Sequence, residues 1–266
     1  GFGCSVPAIM ATRTLSSERD RRMTMALIPF MSCSAKIPIY AVFTEAFFTE
    51  YKALVMISLY VLGIIVGIIA TLISKHTIYR GNPMPFVMEL PNYRMPSPKS
   101  VLMLMWEKAK DFVQKAFTLI FAASIIIWVL RTFDTRLNIV ENQEDSLLAL
   151  LGKLISPVFK PLGFGDWRIS TAVITGLTAK EAVISTLSVL LGVSMAELSS
   201  ALAGVFTAQA AVSFLTFVLL YTPCIAAIGA FRRETSELRT LGIVIFQCAV
   251  AWVAAFGIHG MMLLFA

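Results

Sequence analysis

Apolar residues run along this chain in stretches as long as a bilayer is thick. A helix needs about 20 of them to cross about 30 Å of hydrocarbon. Ala53 to Ile73 carries no charge, and Phe112 to Leu130 is nearly as clean, with Lys115 near one end where it can snorkel. Leu202 to Tyr221 and Leu241 to Ala266 also qualify. Two further stretches are apolar but interrupted. Ala26 to Thr44 contains Pro29, Cys33, Lys36 and Pro38, and Ser170 to Gly192 contains Gly176 and the pair Lys180-Glu181. The pattern predicts an all-α integral membrane protein, a polytopic helix bundle with broken or re-entrant helices.

The polar connections set the orientation. Segments 12–24, 74–111 and 232–239 carry excess Lys and Arg, whereas 131–168 is balanced. The positive-inside rule places the three basic segments in the cytoplasm and 45–52 and 131–168 outside. Strict alternation then fails unless Ser170–Gly192 dips into the membrane and returns to the same side. Irregular backbone at that depth is tolerated only against protein or a water-filled cavity.

Three places put helix breakers where a plain span has none: Gly1 to Ile9, Pro29 to Pro38, and Tyr221 to Ile228. The first and third echo each other, each with a Cys and a Pro followed by Arg about two turns later. Ser34-Ala35-Lys36 and Thr178-Ala179-Lys180 form a shorter echo. The echoes predict an internal two-fold repeat of gate elements. Paired interrupted segments point to a transporter's binding site. Carbonyls left without donors by Pro7, Pro38 and Pro223, the hydroxyls of Ser32 and Ser34, and the thiols of Cys4, Cys33 and Cys224 are candidates to line a polar path. Sulfur suits late first-row divalent metals better than Mg²⁺ or Ca²⁺. A lone Cys in a membrane helix also serves as apolar filler, the reading kept for Cys248. Lys36, Lys180 and Glu181 are charges at bilayer depth, which are costly and face the bundle interior. They read as a gate, with Glu attracting a cation and Lys repelling it or occupying its empty site.

Composition narrows the class further. Of 266 residues 58% are hydrophobic and 14% charged, and the mean hydropathy is +0.80. Soluble domains run about 45–50% apolar and about 25% charged, so an ordinary water-soluble domain is excluded. The net charge of +6 lies in the loops and calls for no nucleic acid. The cysteines form no C-x-x-C and suggest no disulfide framework. His76 sits in a basic loop, and His259 is a weaker metal or proton candidate. No nucleotide-binding loop, zinc-protease or nucleophile-elbow motif is present. The start at Gly1, without Met or signal peptide, reads as a fragment whose natural beginning lies upstream.

Gly3-Cys4-Ser5-Val6-Pro7-Ala8-Ile9-Met10-Ala11-Thr12-Arg13 and Ile28-Pro29-Phe30-Met31-Ser32-Cys33-Ser34-Ala35-Lys36-Ile37-Pro38-Ile39-Tyr40 resemble the membrane region of the FeoB ferrous iron transporters. Thr178-Ala179-Lys180-Glu181 and Tyr221-Thr222-Pro223-Cys224, continuing to Phe231-Arg232-Arg233-Glu234, resemble its second gate region. The resemblance runs in order from residue 1 to about 234. It implies one transmembrane domain, with a first gate half over about 1–73, a basic cytoplasmic loop over 74–111 and a second gate half over about 112–266. It implies Fe²⁺ import across a bacterial inner membrane, with Cys4, Cys33 and Cys224 on the iron path. It also implies a missing GTP-binding domain that uses GTP and Mg²⁺, and small FeoA-like and FeoC-like partner proteins. The chain is then a transporter part rather than an enzyme, and a pore between copies in a homo-oligomer stays open. Two alternatives remain: a non-transporting gate-type membrane scaffold, and a nucleoside-like small-solute carrier.

Overall fold

A computed structural model describes residues 1–77, 95–136, 138–140 and 142–264. Among these residues every extended element is helical: α1 (Ser5–Ala11), α2 (Glu18–Leu27), α3 (Ile37–Phe47), α4 (Lys52–Thr77), α5 (Pro98–Thr132), α6 (Leu147–Phe159), α7 (Trp167–Thr175), α8 (Ala182–Leu191), α9 (Leu198–Val205), α10 (Ala208–Leu220), α11 (Ile225–Glu234) and α12 (Glu237–Leu264). Among the described residues five stretches are long and apolar enough to span, 18–47, 52–77, 98–132, 208–234 and 237–264, and the bent pair 147–162 and 167–175 makes a sixth if it is one span. Two of these, α2–α3 and α10–α11, are broken in the middle, where the sequence places its prolines. The protein is an all-α polytopic membrane protein.

The interrupted stretch 170–192 is a helical hairpin. α7 and α8 have 9 and 10 residues, about 14–15 Å each at 1.5 Å per residue, too short to cross. The hydroxyls of Thr175 and Thr186 lie 2.9 Å apart, so the two helices turn back on each other. Gly176 sits at the turn because a Cβ there would lie 2.4 Å from the Tyr221 hydroxyl and 2.5 Å from Val183.

Local chemistry shifts three predicted boundaries. The expected span from Leu202 is interrupted at Phe206, whose backbone is extended. Thr207 then caps α10 by accepting from the Ala210 N–H, as side-chain oxygens do at helix starts. Residues 98–111, read as loop, are the first turns of α5, started by the Ser97 cap and Pro98 at the first helical position. Within 131–168, residues 147–159 form the apolar helix α6, which meets α7 at a bend of 105°. Residues 78–94 of the predicted basic loop and the Lys115 side chain lie outside the described residues.

The core is built around α10, buried along nearly its whole length. A chain of rings joins it to its neighbours: Phe43–Phe214 at 4.9 Å, Phe164–Phe214 at 5.4 Å, Phe159–Phe217 at 5.2 Å and Phe217–Tyr221 at 5.2 Å. Rings at these separations add stabilisation beyond their buried area. α4 instead presents Leu54, Ile57, Val61, Ile65, Ile68 and Leu72 outward, a face suited to lipid. Its inner face carries Gly63 and Gly67, the small-x-x-x-small spacing that lets membrane helices approach closely. A Cβ on Gly63 would lie 2.7 Å from the Phe30 carbonyl oxygen, and one on Gly67 2.9 Å from Leu27. α4 therefore braces the broken α2–α3 segment by backbone proximity.

α1 and α11, the two echoing short helices, pack together in a second cluster with Ile9, Met25, Ala227 and Phe231. Glu234, with 2% of its side chain exposed, closes their ends by pairing with Arg13 and Arg21, each at 2.5 Å. That hydrogen bond raises the Arg13 guanidinium above its ordinary pKa.

Two outcomes are expected. Gly63→Val overpacks against Phe30 and lowers stability by about 1–3 kcal/mol, read as a drop in Tm of the detergent-solubilised protein. Glu234→Ala strands Arg13 and Arg21 and costs about 1–3 kcal/mol. Glu234→Asp recovers part of that loss in the same measurement.

Candidate functional site

Four backbone interruptions meet inside the bundle. Ser34 donates from both its N–H and its hydroxyl to the Gly3 carbonyl, each at 3.0 Å, joining the first break to the second. The Ile225 N–H donates to the Leu177 carbonyl at 2.7 Å, joining the hairpin tip to the α10–α11 break. Cys4, Cys33 and Cys224 each stand in extended backbone directly before a helical turn.

The helix ends at these breaks expose carbonyls that have no intrahelical partner. Two buried lysines satisfy them. Lys36, 3% exposed, donates to the carbonyls of Pro29 and Met31 at 3.3 Å and of Leu219 at 2.5 Å. Lys180, 2% exposed, comes from the hairpin tip. It donates to the Thr222 carbonyl at 2.7 Å, with its ammonium 3.1 Å from the centre of the Tyr221 ring. A ring face attracts a cation most strongly where water is excluded. Both lysines thus reach the break of the same span, Lys36 among three carbonyls and Lys180 between one carbonyl and a ring face.

A cavity of about 190 Å³ opens beside them, lined by Cys4, Cys33, Cys224, Ser34, Lys36, Lys180, Glu181 and Pro223 among others. The structure so gathers most of the sequence candidates, from positions far apart in the chain. All four cysteines are free thiols, Cys4 exposed and the others half-buried. Glu181 faces the cavity, and its side chain makes no hydrogen bond or ion pair among the described residues. Ser32 is not brought there: it is buried, and its hydroxyl lies 3.2 Å from that of Tyr40. Pro7 and Pro38 are not in the lining either. They occupy the first turns of α1 and α3, where a missing N–H leaves no carbonyl unpaired. Among the described residues no three His, Cys, Asp or Glu side chains converge closely enough to hold a metal ion. His259 packs its ring on Gly163, whose φ is +85°, away from the cavity.

Comparison with known proteins addresses the same residues. The family model "Ferrous iron transport protein B C terminus" matches residues 56–108, and "Nucleoside recognition", a gate model, matches 113–238. The Fe(2+) transporter FeoB of Staphylococcus aureus strain MSSA476 is 39% identical over 257 residues, 96% of this chain and 39% of that protein. The one from Campylobacter jejuni is 43% identical over 275 residues, 97% of this chain and 45% of that protein. The chain belongs to the FeoB family, as its C-terminal membrane region. It spans less than half the length of these relatives. A "Fe(2+) transport protein A/Fe(2+) transporter FeoB fusion protein" of Porphyromonas gingivalis is 36% identical over 314 residues, 100% of this chain and 37% of that protein. No solved structure matches the chain significantly.

Sequence reasoning missed the acceptors in this FeoB-family site. The carbonyls of Pro29, Met31, Leu219 and Thr222 carry no residue-type signal. Only the helix breaks around them mark where such groups lie free. Tyr221 is legible as a motif residue, but its role under Lys180 depends on the aromatic chain along α10.

Lys36→Met and Lys180→Met leave buried carbonyls without donors, so each lowers stability by about 1–3 kcal/mol, checked by thermal unfolding. Under a maleimide reagent Cys4 is expected to react fastest, ahead of Cys33, Cys224 and Cys248, followed by mass spectrometry of peptides over time.

Proposed function

We propose that this chain forms the ion-conducting membrane part of a ferrous iron importer, with Cys4, Cys33, Cys224 and Ser34 lining the path. The observation that carries this reading is the convergence of three cysteine-bearing breaks on one cavity, beside two lysines that sit on bared carbonyls. Fe²⁺ exchanges part of its water for one or two sulfur or hydroxyl ligands at a time. A pathway must bind weakly enough for the ion to leave.

Lys36 and Lys180 act as the gate. Their ammonium groups hold the carbonyl positions when no metal is present and repel an arriving dication until they withdraw. Glu181, unpaired on the cavity wall, draws the cation in and takes up a displaced ammonium. Ser32 acts indirectly, by holding Tyr40 behind the second break. Pro7, Pro38 and Pro223 fix where the helices restart, so that each cysteine stays in extended backbone.

In the whole protein, a GTP-binding domain with Mg²⁺ biases the gate between closed and open packings. An FeoA-like protein is a natural partner, since one relative is named as a fusion with protein A. FeoC-like proteins and further copies of the chain complete the proposed set, in a bacterial inner membrane. The gate model's description, "Nucleoside recognition", favours one second reading, a small-solute carrier whose binding would not involve thiols.

Cys4→Ser, Cys33→Ser and Cys224→Ser in the full-length protein are each expected to lower anaerobic Fe²⁺ uptake by about 10–100-fold at matched expression. In the unsubstituted protein, Fe²⁺ should shield these thiols from alkylation. Uptake and alkylation that ignore both changes would overturn the ligand assignment. Nucleoside binding with thiols indifferent to Fe²⁺ would favour the carrier instead.

A further inference from the structure

Two side chains on α12 carry buried polar atoms without a partner, Gln247 and, about three turns further on, His259 through its Nδ1. Gln247 is 0% exposed, and both its amide oxygen and its amide nitrogen lack hydrogen bonds. The Thr222 hydroxyl, on a residue 3% exposed, also lacks a partner. Buried polar groups are satisfied in the great majority of cases, so unsatisfied ones ask for an explanation. In a membrane interior the cost is higher, since no bulk water reaches them.

Gln247 and Thr222 lie at the same level of the bundle. α12 turns back along α10–α11, and the Ser213 hydroxyl donates to the Ala255 carbonyl at 3.2 Å, which sets the register. Two turns back along α12 from Ala255 stands Gln247. Two turns on from Ser213 stands Tyr221, next to Thr222. Ile243, one turn before Gln247, packs in one cluster with Ala227 and Phe231 of α11, which agrees with that register. Neither Gln247 nor Thr222 lines the cysteine cavity. Thr222 stands in the α10–α11 break itself, where its carbonyl holds the Lys180 side chain, and the register puts Gln247 at the level of that break.

We infer that Gln247 and Thr222 form a further station of the ion path, an oxygen-ligand binding point for a partly hydrated divalent cation, at the level of the α10–α11 break and outside the lining of the cysteine cavity. The inference rests on the transport reading above. An amide oxygen and a hydroxyl are hard, neutral ligands that replace some of the ion's water without holding it tightly. The amide nitrogen is left to donate to a water carried with the ion. The Thr222 carbonyl becomes available to the ion when Lys180 withdraws. The cysteines then select the metal, and the oxygen station accepts it once the lysine gate has moved.

The test uses the full-length protein in anaerobic proteoliposomes, with Fe²⁺ uptake and Fe²⁺ protection of Cys4 and Cys33 against alkylation read in parallel. Gln247→Leu and Thr222→Val are expected to lower maximal uptake by about tenfold or more, with thiol protection unchanged. Gln247→Glu places a carboxylate at the station. It should lower the half-saturating Fe²⁺ concentration and the maximal rate together, because tighter holding slows release. A structural amide gives no reason for that paired change, so this variant also decides the matter if Gln247→Leu fails to fold. Wild-type uptake in Gln247→Leu and Thr222→Val, or a Gln247→Glu protein without the paired change, overturns the station and shows a water-filled structural pocket only. Loss of thiol protection in the unsubstituted protein instead counts against the cysteine path itself.

Discussion

The bundle depends on how broken helices satisfy their backbone in a place without water. Each interruption bares carbonyls, and an unpaired carbonyl in hydrocarbon costs several kcal/mol. Lys36 and Lys180 meet that need with ammonium groups that reach across the bundle, one to Leu219 and one to Thr222. A plain hydrophobic packing of the same helices would bury no charge and open no path. Here the irregular backbone and the buried lysines are mutually required. Removing either leaves the other unsatisfied.

Everything around this junction holds it in register. The aromatic chain from Phe43 through Phe214 and Phe217 places the Tyr221 ring under Lys180. Gly176 lets the hairpin tip approach Tyr221, and Gly63 lets α4 approach Phe30. The Glu234 pairs with Arg13 and Arg21 lock the ends of α1 and α11. Ring contacts, close glycine approaches and ion pairs thus fix the elements that carry the polar junction. The outward faces of α4 and of α5 from Phe117 to Trp128 are apolar instead, as expected where lipid is the neighbour.

Such a junction is suited to change between two arrangements. In the proposed reading the Lys36 ammonium, among three carbonyls, is a cation already in place, and a metal ion would enter by exchange rather than by filling an empty hole.

Much of this was legible in the chain alone. The apolar runs determined the membrane class, the interruptions at Pro29–Pro38 and Tyr221–Cys224 marked both broken spans, and Gly176 with Lys180-Glu181 marked the hairpin. The Cys-bearing motifs named the family. These signals are local: length, periodicity and a misplaced proline are read within a few turns. Boundaries such as the Thr207 cap and the α6 helix were less legible, because capping and a single bend compete with an unbroken apolar pattern. Which breaks meet was decided only by the tertiary structure. Nothing near Lys36 in sequence announces the Leu219 carbonyl, a partner 183 residues away. Backbone acceptors have no residue type, and burial depends on which helices pack. The sequence by itself determined that this protein has interrupted helices carrying thiols and lysines. The fold decided that those interruptions face one another, because only long-range packing can bring a bared carbonyl to its donor.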